Sequence, residues 1–210
     1  MILIPVKNLS NAKQRLAEVM DQPARTRLAQ AMLEDVAIAV ATCGADDACI
    51  VTGDLFAIEL AARLKFEVMR DDANRSETDA IAMATQTCEA RGIETTLVVP
   101  GDIPLIEAAD IRAIYVQAPR RGSVLVPSSD ERGTNAVLRR PAALFPLRFG
   151  TDSFVPHLAS ARAAGECVVL SLPHVALDID TPEDLRRLAE APGNKPAQLL
   201  ARSVLSMQGI

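Results

Sequence analysis

Short apolar runs recur along the chain at residues 2–6, 48–52, 66–69, 96–100, 123–127 and 167–172, and most are separated by longer amphipathic segments. Runs of strand length alternating with helical periodicity predict βαβ units and a mostly parallel sheet. Leu97-Val98-Val99 and Val124-Leu125-Val126 show no polar alternation, which predicts strands covered by helices on both faces. The clearest helix covers 25–42, where Leu28, Ala31, Met32, Asp35, Val36, Ala39 and Val40 share a mostly apolar face and Gly44 supplies a stop. Residues 135–139 read as a further short strand, antiparallel because too few residues precede it for a helical crossover. An α/β domain over 1–190 accounts for these elements. Residues 191–210 follow a break containing Pro192, Gly193, Asn194 and Pro196 and read as a short amphipathic helix that could pack on the domain, form a homodimer contact or fray.

Composition narrows the class. A chain of 210 residues, 49% hydrophobic and with a formal charge of −5, buries a sizeable core without disulfides. The acidic balance, with one Tyr and no Trp, argues against a nucleic-acid surface, which needs a basic stripe with stacking aromatics. Cys43, Cys49, Cys88 and Cys167 fall at no zinc or redox spacing and read as buried thiols. Residues 1–7 are charged too soon for a secretory signal, and no apolar run approaches the length of a membrane span. The expectation is a cytoplasmic protein with no membrane partner.

In an open α/β sheet, ligands bind beyond the carboxyl ends of the strands, and two acidic segments stand at such ends. Gly101-Asp102-Ile103-Pro104-Leu105 follows the run at 96–100, and Asp178-Ile179-Asp180-Thr181-Pro182-Glu183-Asp184-Leu185 lies near the end of the chain. Asp102 alone also suits a turn cap. Thr181 to Asp184 reads as a helix start, with Thr as N-cap, Pro in the first turn and acids beside the helix dipole. Capping leaves Asp178 and Asp180 unexplained, two same-side carboxylates of an extended segment that repel unless a cation lies between them. Metal binding is the better account of that pair, and with Asp102 it makes an oxygen-ligand set suited to a magnesium nucleotide. The first loop has the opposite charge: Lys7 ends the first strand and Lys13 and Arg15 stand where a helix is expected to begin. These cations suit a triphosphate or are ordinary exposed bases. The sequence contains neither a Gly-x-x-x-x-Gly-Lys loop nor Gly-x-Gly-x-x-Gly, so a P-loop NTPase and a dinucleotide-binding fingerprint are unsupported.

Pro5-Val6-Lys7, Ala12-Lys13-x-Arg15-Leu16, Gly101-Asp102-Ile103-Pro104-Leu105, Gly133-Thr134-Asn135-Ala136, Phe149-Gly150-x-x-Ser153-Phe154-x-x-His157 and the Asp178 segment occur in this order. Together they resemble the CofC/FbiD family of phospho-acid guanylyltransferases, and the resemblance spans residues 1–188. It implies a single-domain, Rossmann-like nucleotidyltransferase fold and the transfer of GMP from GTP to 2-phospho-L-lactate, phosphoenolpyruvate or 3-phospho-D-glycerate, with release of pyrophosphate, in coenzyme F-420 biosynthesis. By that resemblance Asp102, Asp178 and Asp180 hold magnesium, Lys13 and Arg15 stabilise the leaving pyrophosphate, and Thr134, Gly150 and Ser153 bind the acceptor's phosphate. Ser153 also suits a plain N-cap for a helix through Ala164, and His157 either assists or only packs. One segment departs from the family pattern. Residues 71–80 replace a Gly-Leu-Asn-type turn, with Ser76 and Asp79 as a capping pair. Lys7, Arg75 and Ser76 are the expected nucleotide contacts there, and preference for guanine is less determined than the reaction type. A related cytidylyltransferase, a metal-dependent nucleotide-sugar glycosyltransferase and a nucleotide-binding regulator without turnover remain open.

Overall fold

The computed structural model describes residues 1–45, 47–150 and 152–207. The strands are β1 (Ile2–Val6), β2 (Ala48–Thr52), β3 (Glu67–Arg70), β4 (Thr96–Val98), β5 (Gly122–Pro127), β6 (Thr134–Arg140) and β7 (Glu166–Val169). The helices are α1 (Gln22–Thr42), α2 (Leu55–Leu64), α3 (Glu77–Ala90), α4 (Ala108–Val116), α5 (Phe154–Ala164), α6 (Pro173–Ala176), α7 (Pro182–Glu190) and α8 (Pro196–Met207). The strands form one sheet in the order β3-β2-β1-β4-β6-β5-β7. Every neighbouring pair is parallel except those of β6, which runs antiparallel to β4 and β5.

Alternation along the strands makes two cores. Ile2, Ile4 and Val6 pack with Leu28, Met32 and Val36 of α1 and with Ile111 and Ile114 of α4 on one face. Leu3, Val51, Val98 and Val137 meet Ile81, Ala84 and Cys88 of α3 and Ala161 of α5 on the other. Successive residues of a strand point to opposite faces, so a strand such as β1, buried at all five positions, requires helices on both sides.

This topology locates the site. From β1 the chain builds outward through β2 and β3 on one side, then returns to place β4 on the other. The loops leaving β1 and β4 therefore diverge across a topological switch point, where open α/β sheets hold ligands. Because β6 is antiparallel, its beginning, Thr134 and Asn135, lies at the same sheet edge as the ends of β4 and β5.

Boundaries differ from the sequence expectation for local reasons. Helix α1 starts at Gln22 because the Asp21 carboxylate accepts from Ala24 N at 2.8 Å and Pro23 occupies the first turn. Strand β4 stops at Val98, ahead of Pro100, and β7 stops at Val169, ahead of the turn opened by Pro173. β7 is an edge strand with exposed ends, so the two-sided burial expected of the central strands does not extend to it. Lys13 does not begin a helix: its backbone is left-handed (φ 55°) and only a 3-10 turn follows over Gln14–Leu16. The capping pair at Ser76 and Asp79 is present, with the Ser76 hydroxyl accepting from Asp79 N at 3.0 Å. So is the capping box of Thr181 and Asp184 that opens α7, an arrangement that contributes about 1 kcal/mol.

Helix α8 packs on α1 and α7. Ala197 N donates to Asp35 Oδ2 of α1 at 3.0 Å, and the buried Gln198 donates to the Ala191 carbonyl at 2.9 Å. The Lys195 ammonium reaches the carbonyls of Pro104 and Ile106 at 2.8 and 2.7 Å, tying the start of α8 to the loop that follows Asp102. Among the described residues no helix is long and apolar enough to cross a membrane.

Candidate active site

The two acidic segments meet. Ile179 N donates to the Asp102 carbonyl at 3.1 Å, a main-chain bond that sets the segment before α7 beside the loop after β4. Gly101 permits the close approach of that loop to α1, since a Cβ there would stand 3.2 Å from Leu33 Cδ1. The capping box of α7 begins directly after Asp180 and fixes where its carboxylate projects.

Lys13 joins these segments. Its ammonium donates to Asp102 Oδ2 at 2.7 Å and to Asp180 Oδ1 at 2.9 Å, and its side chain is 9% exposed. Burial works against the charged amine, but the two carboxylates outweigh it and hold its pKa above the ordinary lysine value. The same contacts hold Asp180 below the usual carboxylate range in spite of its burial. Arg15, largely exposed, stands 3.6 Å from Asp180. Asp178 is pushed the other way, raised by burial and by the neighbouring Asp102 and Asp180 charges, while the Asn135 amide, which donates to its Oδ1 at 3.1 Å, offsets part of the shift.

Two cavities open on either side of this acidic seam. One, of about 620 Å³, lies between the loop after β1 and α1, with Lys7, Asn11, Lys13 and Asn74 in its wall. The other, of about 700 Å³, is lined by Thr134, Gly150, Ser153 and Asp178, with Arg132 and Arg187 at its rim. Arg15, Glu77, Pro100, Asp102 and Asp180 belong to both walls. The seam is thus the partition between two binding spaces, each large enough for a small polar ligand.

The other expected residues are placed as follows. Lys7 Nζ donates to the carbonyl of Arg75 at 2.9 Å, closing the 71–80 segment over the first cavity. Arg75 offers that carbonyl, and Ser76 is used as the N-cap of α3, while Asn74 carries the segment into the cavity wall. Gly150 has φ 139° and open space where a Cβ would lie, a conformation that favours glycine. Ser153 precedes α5 but makes no side-chain cap, because its own dihedrals are already helical; its hydroxyl lies 3.5 Å from Thr134 Oγ1.

Glu77 was not foreseen. At the first position of α3 it looks like simple compensation of the helix dipole, yet its half-buried carboxyl faces the seam. Burial and the nearby Asp102 push its pKa up to about 7, against the opposing effect of Lys13 and Lys7.

Three carboxylates gathered here suit a divalent cation in donor chemistry, since Asp102, Asp178 and Asp180 supply only oxygen. Two of them already converge on one cation, the Lys13 ammonium. Among the described residues no three acidic, His or Cys groups are arranged to hold a metal ion, and the Lys13 ammonium stands between Asp102 and Asp180.

The arrangement belongs to a known class. A candidate nucleotide-diphospho-sugar transferase from Desulfovibrio desulfuricans G20 superposes with a TM-score of 0.79 at 21% identity, covering 98% of this chain and 95% of its own. A 4-diphosphocytidyl-2C-methyl-D-erythritol synthase superposes at 0.60 and 12% identity, covering 95% and 97%. The fold is therefore the Rossmann-like fold of nucleotidyltransferases. More closely, a phosphoenolpyruvate guanylyltransferase of Roseiflexus castenholzii is 35% identical over 208 residues, 99% of this chain and 96% of its own length. A 2-phospho-L-lactate guanylyltransferase of Methanothermobacter thermautotrophicus is 34% identical over 184 residues, 87% and 81% of the two lengths. The family model for CofC-like guanylyl transferases matches residues 1–202, and the chain belongs to that family.

Proposed function

We propose that the protein transfers GMP from GTP to the phosphate of a small phospho-acid, releasing pyrophosphate, the step that the family resemblance links to coenzyme F-420. The observation that carries this reading is the seam: cations and carboxylates partition a cavity beside the β1 loop from a second cavity beside β6. The family relatives named for phosphoenolpyruvate and 2-phospho-L-lactate support the acceptor class.

GTP would occupy the first cavity with its triphosphate toward Lys13 and Arg15. The phospho-acid would occupy the second, against Thr134, Gly150 and Ser153. An acceptor phosphate oxygen then forms a bond to the α-phosphorus as the bond from α-phosphorus to the bridging oxygen breaks, and the electron pair leaves with pyrophosphate. Both reactants are anions, so positioning and neutralisation supply most of the rate. Lys13 and Arg15 take the charge that develops on the leaving group. Asp102, Asp178 and Asp180 would hold magnesium, which when bound supplies further charge neutralisation between the two phosphates. Asn135 keeps Asp178 oriented, and no side-chain nucleophile is needed. We further propose that the reaction runs in the cytoplasm.

The test is pyrophosphate release by the purified protein with magnesium. GTP, CTP, ATP and UTP are each offered against phosphoenolpyruvate, 2-phospho-L-lactate and 3-phospho-D-glycerate, with product masses measured. Acceptor-dependent release with GTP alone is expected. Equal release with CTP would move the protein to the cytidylyltransferases, and tight nucleotide binding with no product from any pair would leave a binding protein.

A further inference from the structure

His157 lines neither cavity, yet its hydrogen bonds determine what the acceptor cavity presents. It is 1% exposed, on the first turn of α5, with its ring edge-on to Phe149 at 5.4 Å between centroids. Arg148 N lies 2.8 Å from Nε2. A backbone N–H can only donate, so Nε2 is an acceptor and carries no proton. A neutral ring then carries its proton on Nδ1, and Nδ1 lies 2.9 Å from Thr134 Oγ1. The Thr134 oxygen is thus an acceptor toward His157, and its own proton must go elsewhere. Among the described residues its other side-chain hydrogen-bond contact is Ser153 Oγ at 3.5 Å, the limit of a useful hydrogen bond. The remaining direction is the cavity that Thr134 lines.

We infer that His157 is a positioning residue whose Nδ1–H orients the Thr134 hydroxyl to donate to an anionic oxygen of the bound phospho-acid. The inference rests on reading the second cavity as the acceptor site. A hydroxyl held in donor orientation before the ligand arrives loses no orientational freedom on binding, and a bond to a charged oxygen is among the stronger kind. The neutral state has a cause of its own. Burial lowers the His157 pKa to about 4, helped by the buried guanidinium of Arg139 on β6, which bonds Phe145 O and Thr85 Oγ1.

Two isosteres separate this role from simple support of the Arg148 backbone. His157→Gln places an acceptor oxygen near the Nε2 position and removes the donor to Thr134. His157→Asn places an amide N–H near Nδ1 and removes the acceptor for Arg148. The expected result is a rise of tenfold or more in acceptor KM for His157→Gln, with the KM for GTP within twofold of wild type. His157→Asn should stay within threefold on both. Thr134→Val should match His157→Gln, and the double variant should add nothing, since both remove one interaction. Long-range nitrogen-proton NMR of the wild-type imidazole should show the proton on Nδ1. A proton on Nε2, a silent His157→Gln beside an impaired His157→Asn, or additive losses would each overturn the inference. If the wild-type protein binds no phospho-acid by calorimetry, the acceptor reading falls and takes this one with it. If it binds one and His157→Gln binds it equally well, only the present inference falls.

Discussion

Asp178 and Asp180 are two residues apart and live in different electrostatic worlds. Asp180 is neutralised by Lys13 at 2.9 Å and sits below the ordinary carboxylate range. Asp178 accepts from the Asn135 amide instead of a cation and is raised by burial and by its acidic neighbours. A carboxylate in that position gains most from an added cation. Replacing Asp102, Asp178 or Asp180 by Asn keeps the shape and removes one negative charge, and Asp178→Asn keeps an oxygen for Asn135. Each is expected to lower kcat by about 100-fold or more while the far-UV spectrum and melting temperature stay close to wild type. Wild-type rates in all three variants would exclude these carboxylates from the chemistry. The Asp-x-Asp pair was legible in the sequence because an extended segment puts both side chains on one side. The partner of Lys13 was not, because its bonds cross 89 and 167 residues of chain. Glu77 was hidden for the opposite reason: a local rule, acid at a helix start, already explained it.

At the scale of elements, the strand and helix order was legible from periodicity, and β6 was legible as antiparallel from loop length alone. The last helix was legible as a short amphipathic helix but its packing partner was not, since an amphipathic segment says that one face is covered and not by what. The structure answers with polar contacts: Asp35 of α1 accepts from the start of α8, and Lys195 grips the loop after Asp102. Asp35 is 4% exposed, and burial pushes its pKa up to about 6, against the Ala197 N–H and Lys195. A folded value above the unfolded one means the ionised form is the less favourable in the fold, so stability from this group is present below pH 4 and declines as pH rises through 6. Asp35→Asn keeps an acceptor for Ala197 N and cannot ionise. Its melting temperature should equal wild type at pH 4 and exceed it by on the order of 5 °C above pH 7. A gap that does not change between these pH values would show that Asp35 does not titrate between the folded and unfolded chains.

Across the whole molecule, strand order makes two sites rather than one. The reversal at β1 and β4 opens the first cavity, and the antiparallel β6 brings Thr134 to the same edge and makes the second. Apart from Pro100 the residues of the partition are charged, and Lys13 and Arg15 hold the carboxylates of Asp102 and Asp180 in place. Lys13 is engaged at both ends of its charge by Asp102 and Asp180 and stays protonated, so it is a poor nucleophile. An enzyme that parked GMP on a side chain would need only one phosphate site, used twice. Two spaces sharing one wall instead let both substrates be present together, with direct transfer across the seam. Initial rates measured over a grid of GTP and phospho-acid concentrations should therefore give double-reciprocal lines that intersect. Exchange of labelled pyrophosphate into GTP should require the phospho-acid, because the bond at the α-phosphorus breaks only as the acceptor arrives. Parallel lines, together with exchange in the absence of acceptor, would mean a guanylylated protein intermediate, and the seam would then be a place where pyrophosphate leaves before the phospho-acid enters.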